Sequence, residues 1–285
     1  MLSRITGRLA DIPIPRPLRA ALYRPVSRLL GMNLDEAARP PAEYPTLDAL
    51  FVRSLRPGAR AWPDSPGVPA SPVDGVVGRL GPIRSGRLLQ AKGRHYTVAE
   101  LLDDRELALR FDGGTFLTLY LAPRHYHRIH APVSGSIAYS RHVPGRLLPV
   151  NAPAVRAVDR LFPRNERLGC VIEPPPAPVT APRSGPAVST GAVAVVAVGA
   201  FNVGRITAAF DAGLVTNRPG ARPETRGYDP PVPVDRGAEL MAFHLGSTVV
   251  LLFERQLPLR EGLAPEREVR LGEALCEPGC REPGH

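Results

Sequence analysis

The amino-acid sequence predicts an α+β fold whose core is a mostly antiparallel β-sheet, sandwich-like or barrel-like, with short flanking helices and an N-terminal amphipathic helical segment. Segments rich in β-branched and apolar residues outnumber the helical patterns along the 285 residues. They do not alternate regularly with helices, as the strands of a parallel sheet would. A hydrophobic fraction of 44% in a chain of this length is enough to bury a core.

The N-terminal segment, residues 1–31, combines positive charge with an apolar periodicity. It holds six arginines and one acid, Asp11, and its leucines recur between the arginines at roughly helical spacing. Pro13, Pro15 and Pro17 divide it into two short pieces. This pattern is typical of helices that lie in a membrane interface with their arginines at the lipid phosphates. The alternative is an amphipathic helix that packs against its own domain.

Three short helices are predicted further along the chain. Thr46 can cap a helix that continues through "LDALFVRSL", and Thr97 and Glu100 have the spacing of a capping box ahead of two leucines. A third helix is predicted over residues 152–162. The Pro-rich stretch 174–187 is predicted to be a loop, because proline cannot donate to a sheet ladder. Strands are predicted over "VDGVVGRL", "TFLTLYLA", "AVAVVAVGAFNVGRI" and "AFHLGSTVVLLFE".

The net charge favours anionic partners, and the lysine content disfavours one class of enzyme. The net charge of +9 favours anionic partners such as phospholipid head groups or nucleic acid. Almost all of the positive charge is arginine, since Lys92 is the single lysine. An enzyme that uses pyridoxal phosphate needs a lysine for its Schiff base, so this class is strongly disfavoured.

The cysteines and the apolar runs indicate a cytoplasmic setting. Cys170, Cys276 and Cys280 are too few for a disulfide framework and lack the second ligand pair of a zinc site, so we expect reduced thiols and no metal. No run approaches the 18 or so apolar residues of a transmembrane helix, and the N-terminus lacks the pattern of a signal peptide.

Residues 242–254 have the pattern of a buried strand, but polar and small residues interrupt it in the middle. Gly246, Ser247 and Thr248 interrupt residues that otherwise favour burial, and a buried serine hydroxyl without a partner costs free energy. A β-bulge is the simpler explanation. The other is that the peptide bond before Ser247 is itself a reactant.

Three turn-rich segments, "SPVDG", "YHRIH" and "LGST", supply the parts of a catalytic triad. Asp74 could orient His130, which could deprotonate Ser247. Each residue also has an ordinary structural explanation, as a turn, a buried histidine and a bulge. His127 and His130 share one side of a helical turn but lie on opposite faces of a strand, so both serve one site only if the segment turns or bulges.

The order of the motifs resembles the phosphatidylserine decarboxylases over about residues 44–272, with "LGST" and "YHRIH" the most diagnostic. The motifs that carry the resemblance are "FVRSLRPGARAW", "SPVDGVV", "LQAKGRHYTVAELL", "LYLAPRHYHRIHAPVSG", "LFPRNERL", "VAVVAVGAFNVGRI" and "RGAELMAFHLGSTVVLLFE".

The resemblance implies a proenzyme that cuts itself between Gly246 and Ser247. Ser247 would become an N-terminal pyruvoyl group, the only cofactor, with no metal and no pyridoxal phosphate. Asp74, His130 and Ser247 would form the self-processing triad with His130 as base, and His127 would assist decarboxylation and reprotonation. The pyruvoyl carbonyl would form a Schiff base with phosphatidylserine and release phosphatidylethanolamine.

The N-terminal pattern and the resemblance together predict a division of the chain and a place in the cell. By their pattern, residues 1–31 would be basic membrane-surface helices. By the resemblance, residues 32–246 would be the β chain of the decarboxylase domain and 247–285 the α chain, both within one folded domain. The protein would be peripheral on the cytoplasmic face of the cell membrane, bound to an anionic phospholipid surface. A homodimer is expected from the family alone, and no nucleic acid is expected.

Three departures from the family and two rival functions stand beside this interpretation. His125 occupies a position that is usually acidic, the Pro-rich stretch 174–187 looks like an insertion, and the tail from Cys276 to His285, which includes Cys280, has no counterpart. A serine hydrolase acting on a lipid or ester could use the same triad, although Ser247 lacks the Gly-x-Ser-x-Gly elbow. A non-enzymatic membrane-surface module would explain the basic N-terminus but not the histidines.

Overall fold

An open eight-stranded sheet forms the centre of the protein in a computed structural model that describes residues 7, 9–65, 67–175, 189–201, 204–244 and 247–277. The strand order is β10-β6-β7-β8-β12-β4-β1-β13, and every neighbouring pair is antiparallel. A three-stranded sheet, β5-β11-β9, and the hairpin β2-β3 accompany it. The strands are β1 Gly75–Pro82, β2 Arg87–Ala91, β3 Arg94–Thr97, β4 Thr115–Tyr120, β5 Arg128–His130, β6 Gly135–Val143, β7 Arg167–Glu173, β8 Val193–Val198, β9 Ile206–Ala208, β10 Glu224–Val234, β11 Glu239–Phe243, β12 Thr248–Phe253 and β13 Glu268–Val269.

The predicted fold class is confirmed, but the barrel-like alternative is wrong. β10 and β13 end the large sheet and do not pair with each other, so the described residues form no closed barrel. The helices are short, as predicted, apart from the first. They are α1 Arg16–Leu30, α2 Leu47–Phe51, α3 Val98–Leu102, α4 Arg105–Leu109, α5 Ala152–Ala157 and α6 Leu161–Arg164, with a 3₁₀ turn at Pro41–Glu43.

The central strands β8 and β12 are buried along their whole length. β12 lies between β8 and β4, with Thr248 opposite both Val198 and Tyr120. A strand covered on both faces consists of a continuous apolar run, which explains "VAVVAV" and "TVVLLF".

Residues 242–254 were predicted to be one interrupted strand, and this is wrong. β11 belongs to the small sheet and ends at Phe243, whereas β12 belongs to the large sheet and begins at Thr248, so the two halves of the segment lie in different sheets. The segment "AVAVVAVGAFNVGRI" divides in the same way into β8 and β9. Apolar periodicity marks both halves as buried but does not say which sheet each half joins.

Both predicted helix caps are confirmed. The Thr46 hydroxyl accepts a hydrogen bond from the backbone of Ala49, at 3.0 Å, and Thr97 and Glu100 form a complete capping box. The helix predicted over residues 152–162 is instead two helices, α5 and α6. The buried amide of Gln90 separates them, because it binds backbone groups on both sides of the break, those of Val155, Val158 and Leu161.

α1 packs on a small second core beside the sheets. This core consists of Tyr23, Met32, Tyr44, Leu50 and Phe51. Pro17 lies in the first turn of α1, where proline is tolerated. The segment is divided as predicted, because residues 11–15, with Pro13 and Pro15, separate α1 from the helical residues Gly7, Leu9 and Ala10. No helix in the described part of the chain is both long and apolar enough to cross a bilayer. Residues 1–6, most of the Pro-rich stretch, Gly246 and Cys280 lie outside the described residues.

Candidate active site

Asp74 lies in the turn that leads into β1. Its carboxylate accepts hydrogen bonds from Nε and Nη2 of Arg60, at 3.0 and 2.5 Å, and from the backbone N–H of Leu271, at 2.8 Å. Arg60 also binds Glu36 at 2.8 Å. Because Asp74 is almost fully buried, these charge-assisted hydrogen bonds hold its carboxylate in one orientation.

The ring of His130 lies between two oxygen atoms. Nδ1 is 2.7 Å from the carbonyl oxygen of Gly237, which can only accept, so Nδ1 carries the proton. Nε2 then accepts from the hydroxyl of Tyr126, at 3.1 Å. Burial lowers the pKa of His130, and the Gly237 carbonyl offsets part of that change. His130 is therefore a neutral imidazole with a lone pair on Nε2, as a general base requires.

His127 is fully buried and neither ring nitrogen has a hydrogen-bond partner. Its ring meets the edge of Phe51, with ring centroids 5.3 Å apart. Burial lowers the pKa of His127 to about 3, and the positive charge of Arg53 adds to the shift. Buried polar side chains usually have a hydrogen-bond partner, and those that lack one among the protein atoms are found at catalytic, ligand-binding and water-binding positions.

The backbone that carries the two histidines is irregular. β5 begins only at Arg128, and its pairing with β11 shifts register between Glu239 and Met241. The extra residue of this bulge is Leu240 in β11, so the bulge lies on the partner strand. His127 lies outside the regular strand, after the turn at residues 123–125, and whether it shares one site with His130 stays a prediction.

Ser247 is buried at the start of β12. Its carbonyl accepts a hydrogen bond from the backbone N–H of Leu121 at 2.6 Å, and its hydroxyl lies against the carbonyl of Val198. Gly246 lies outside the described residues, so the geometry of the predicted scissile bond is not described.

The structure places the segment with the two histidines beside the turn that carries Asp74, since the backbone N–H of His130 donates to the Pro72 carbonyl at 2.9 Å. Burial lowers the pKa of each histidine, and the Asp74 carboxylate partly opposes that effect at both. Asp74 hydrogen-bonds to Arg60, His130 to Gly237 and Tyr126, and Ser247 to Val198. The triad of Asp74, His130 and Ser247, with Gly246 as cleavage site and His127 as assistant, stays a prediction.

Several residues of this site were not found from the sequence. Tyr126 and His130 stand four residues apart, but the segment is not helical, so this spacing does not indicate a pair. Arg60 stands in "RPGAR" without any local sign that it meets Asp74. Gly237 is 107 positions from His130, so only the tertiary structure brings its carbonyl to the ring.

His125, which departs from the family pattern, closes a turn. Its Nδ1 accepts a hydrogen bond from the backbone N–H of Ala122 at 2.9 Å, while Nε2 is 4.0 Å from Glu268. Lys92 lies on the exposed turn between β2 and β3. Within the described ranges, no group of three or more His, Cys, Asp or Glu side chains could hold a metal ion.

Comparisons with known proteins agree with one another. The family model described as phosphatidylserine decarboxylase matches residues 47–277. The chain is 48% identical over 279 residues to a phosphatidylserine decarboxylase proenzyme of Anaeromyxobacter sp. (strain K), with 96% of this chain and 93% of the relative covered. It is 40% identical over 275 residues to the proenzyme of the same name from Myxococcus xanthus (strain DK1622), covering 96% and 92%. A Halorhodospira halophila relative of that name is 43% identical over 279 residues, covering 96% and 89%.

Proposed function

The chain belongs to the phosphatidylserine decarboxylase family, and from this membership we propose that it cuts itself between Gly246 and Ser247 and then decarboxylates phosphatidylserine with the pyruvoyl group so formed. The observation that carries the proposal is the family match over residues 47–277, which includes "LGST" and "YHRIH". The geometry around Ser247 and the histidines supports it.

Self-cleavage needs a hydroxyl next to its own preceding carbonyl and a base. Attack by Ser247 Oγ on the Gly246 carbonyl breaks the C–N bond and forms an ester. Elimination then releases the upstream chain as a carboxylate and leaves dehydroalanine, which water converts to pyruvoyl with loss of ammonia. Gly246 has no side chain to hinder the attack.

His130 is the base in this proposal. Its Nδ1 proton is held by the Gly237 carbonyl, so only Nε2 can take the serine proton. Nε2 accepts a hydrogen bond from the Tyr126 hydroxyl, which must move away before Ser247 can donate to the same nitrogen. Asp74 lies near enough to favour the imidazolium that forms.

The residues at the start of β12 fit a pyruvoyl group. The Leu121 N–H holds the Ser247 carbonyl, which survives as the amide carbonyl of that group, and the buried hydroxyl of Thr248 has no partner. The group supplies a ketone that withdraws electrons as carbon dioxide leaves. His127 is a neutral imidazole, with one N–H to donate and one lone pair to receive a proton.

α1 carries an exposed apolar stripe. Leu18, Leu22, Pro25 and Leu29 recur at helical spacing on one exposed side, and Leu29 is 86% exposed. Arginines flank this stripe. We propose that the stripe enters a membrane interface and that the arginines bind anionic phospholipids. The negative surface of the cytoplasmic leaflet would place the protein there as a peripheral enzyme.

Denaturing electrophoresis with intact mass analysis tests the proposal. The purified protein should give two chains, and the smaller one, residues 247–285, should resist N-terminal sequencing and react with carbonyl reagents. Ser247→Ala should stay uncut and inactive, and His130→Ala should process much more slowly, by about two powers of ten or more. Active protein that consists of one intact chain would exclude the pyruvoyl enzyme.

The serine hydrolase alternative has less support. A standing nucleophile must be reachable by substrate and activated by its base. Ser247 is 1% exposed, and its hydroxyl lies against the Val198 carbonyl rather than a histidine.

A further inference from the structure

Three buried polar side chains without hydrogen-bond partners lie together beside the candidate active site. They are the hydroxyl of Tyr44, Nε and Nη1 of Arg53, and both ring nitrogens of His127. Arg53 is 3% exposed and Tyr44 is 6% exposed. Phe51 packs in one core with Tyr44 and contacts the ring of His127, with centroids 5.3 Å apart, and Arg53 follows it by two residues. The Val52 carbonyl accepts a hydrogen bond from Arg128, the residue after His127, at 2.8 Å, so the Arg53 and His127 segments lie side by side. The charge of Arg53 lowers the pKa of both Tyr44 and His127, in keeping with this placement.

No salt bridge neutralises the positive charge of Arg53 among the described residues. The nearby carboxylates of Asp74 and Glu36 both bind Arg60. Arg128, another cation near Tyr44, is paired with Glu239 at 2.5 Å. A buried charge that is neither paired nor hydrogen-bonded is strongly unfavourable. Such a group is expected where a ligand brings the opposite charge.

We propose that Arg53 and Tyr44 bind the phosphodiester of the phospholipid head group, which rests on the proposed function. A guanidinium presents two parallel N–H donors that match two phosphate oxygens, and the phenol adds a third donor. Neither group acts on the reacting atoms, so they are substrate-binding residues.

The position of the cluster suits a phosphodiester. In phosphatidylserine this group lies between the lipid tails and the serine. In the protein, the hydroxyl of Tyr23 in α1 donates to the Tyr44 carbonyl at 3.1 Å, and Phe51 of α2 contacts His127. Tyr44 and α2 therefore lie between the helix that carries the exposed apolar stripe and His127.

The carboxylate of the serine is a poorer candidate for this cluster. Its charge is lost as carbon dioxide departs, so a cation bound to it would stabilise the substrate more than the transition state. The phosphodiester keeps its charge throughout the reaction. Binding of the phosphodiester would also offset the positive charge of Arg53, which adds to the effect of burial in keeping His127 neutral.

Arg53→Gln tests the proposal, with Arg56→Gln as its matched control. Arg56 is exposed, three residues further along the same segment. After self-processing is verified on a denaturing gel, decarboxylation is measured in detergent micelles against phosphatidylserine concentration. Arg53→Gln should raise KM at least about 30-fold, the usual effect of removing one partner of a buried charge pair. Arg56→Gln should match the wild type.

Competition identifies which anion the arginine binds. Glycerophosphoethanolamine has the phosphodiester without a carboxylate, and free serine has the carboxylate without the phosphodiester. Inhibition by glycerophosphoethanolamine should be lost in Arg53→Gln. If inhibition by serine is lost instead, or if KM does not change, the assignment is overturned. If the wild type itself releases no carbon dioxide, the proposed function fails rather than this inference alone.

If Arg53→Gln does not cleave itself, Tyr44→Phe provides a second test of the proposed phosphodiester site. Removing an unsatisfied buried hydroxyl should raise the melting temperature, whereas a hydroxyl with a structural role would lower it. The same variant should raise KM about three- to tenfold with little change in kcat. A lower melting temperature with an unchanged KM would contradict the proposal.

Discussion

Gly237 illustrates how one residue can control the candidate base. Its φ of +90° lies in a region that side chains disfavour, and an added Cβ would be 3.1 Å from the ring of Trp62. Its carbonyl is also the group that holds the Nδ1 proton of His130. The position therefore combines backbone conformation, packing and the tautomer of the base.

Gly237→Ala should destabilise the fold by about 1–2 kcal/mol and slow self-processing about tenfold or more, since it strains the backbone and displaces the carbonyl. Thermal unfolding and the time course of chain cleavage on denaturing gels measure the two effects. Gly262→Ala is the control, because its φ is +79° but an added Cβ meets nothing within 4 Å. Equal cleavage rates in the two variants would show that Gly237 does not orient His130.

His127 should make stability depend on pH. The unfolded side chain titrates near pH 6.5, whereas burial holds the folded pKa at about 3. Between these values only the unfolded state binds the proton, so the free energy of unfolding falls as pH falls below about 6.5 and is unaffected above it. At about pH 5.5, His127 alone should lower the free energy of unfolding by about 1.4 kcal/mol.

Urea unfolding at about pH 7.5 and about pH 5.5 measures this effect. The uncut Ser247→Ala chain is the background, so that a single polypeptide unfolds. Adding His127→Gln should reduce the loss of stability between the two pH values by about 1.4 kcal/mol. An unchanged loss would mean that His127 titrates normally in the folded protein.

At the scale of elements, α3 is held at both ends. The capping box of Thr97 and Glu100 binds the first turn. Arg167, buried in β7, donates to the carbonyls of Glu100 and Leu101 at 2.7 and 2.5 Å. A helix of five residues has little stability of its own, so its position depends on these contacts.

Thr97→Ala should lower the free energy of unfolding by about 1 kcal/mol, because the N–H of Glu100 loses its acceptor. Thr97→Ser retains the hydroxyl and should stay within about 0.5 kcal/mol of the wild type. Thermal or urea unfolding compares the two variants. Equal losses would show that packing of the methyl group, rather than the cap, stabilises this end of α3.

The exposed stripe of α1 should bind lipid without contributing to the core. Replacing Leu18, Leu22 and Leu29 by serine should weaken binding to vesicles of anionic phospholipid by about tenfold or more, since each leucine removed takes away up to about 1.5–3 kcal/mol of burial. The melting temperature should not fall, because all three are exposed. Leu109→Ser is the control, since Leu109 is 77% exposed on α4. Equal vesicle binding by the triple variant and the wild type would exclude this face.

At the scale of the whole molecule, the proposed cleavage would begin the α chain within the large sheet. β12 pairs with β8 on one side and β4 on the other over six residues each, and all its side chains are buried. The α chain would therefore contribute a central strand rather than a tail. The homodimer expected from the family stays a prediction.

The two chains should remain together in native buffer after cleavage. They should elute as one species from a size-exclusion column and separate only in denaturant, because removing β12 would expose the centre of the core. The uncut Ser247→Ala variant should elute at the same volume. A small chain that separates from the large one without denaturant would contradict the placement of β12.

Much of the fold and part of the site could be predicted from the sequence. Residue type and local spacing identified the antiparallel core, the caps at Thr46 and Thr97, and the segments that carry Asp74, His127, His130 and Ser247. These features depend on neighbours within a few positions, so a linear pattern records them. The family resemblance, confirmed by the comparisons, came from motifs of the same kind.

Only the tertiary structure decided how those segments meet. The placement of β11 and β12 in different sheets, the Gln90 contacts that divide α5 from α6, and the approach of the Gly237 carbonyl to His130 join residues far apart in the chain. So does the unpaired cluster of Tyr44, Arg53 and His127. Burial and hydrogen-bond partners are properties of three-dimensional packing, and apolar periodicity predicts that a residue is buried without predicting what it is buried against.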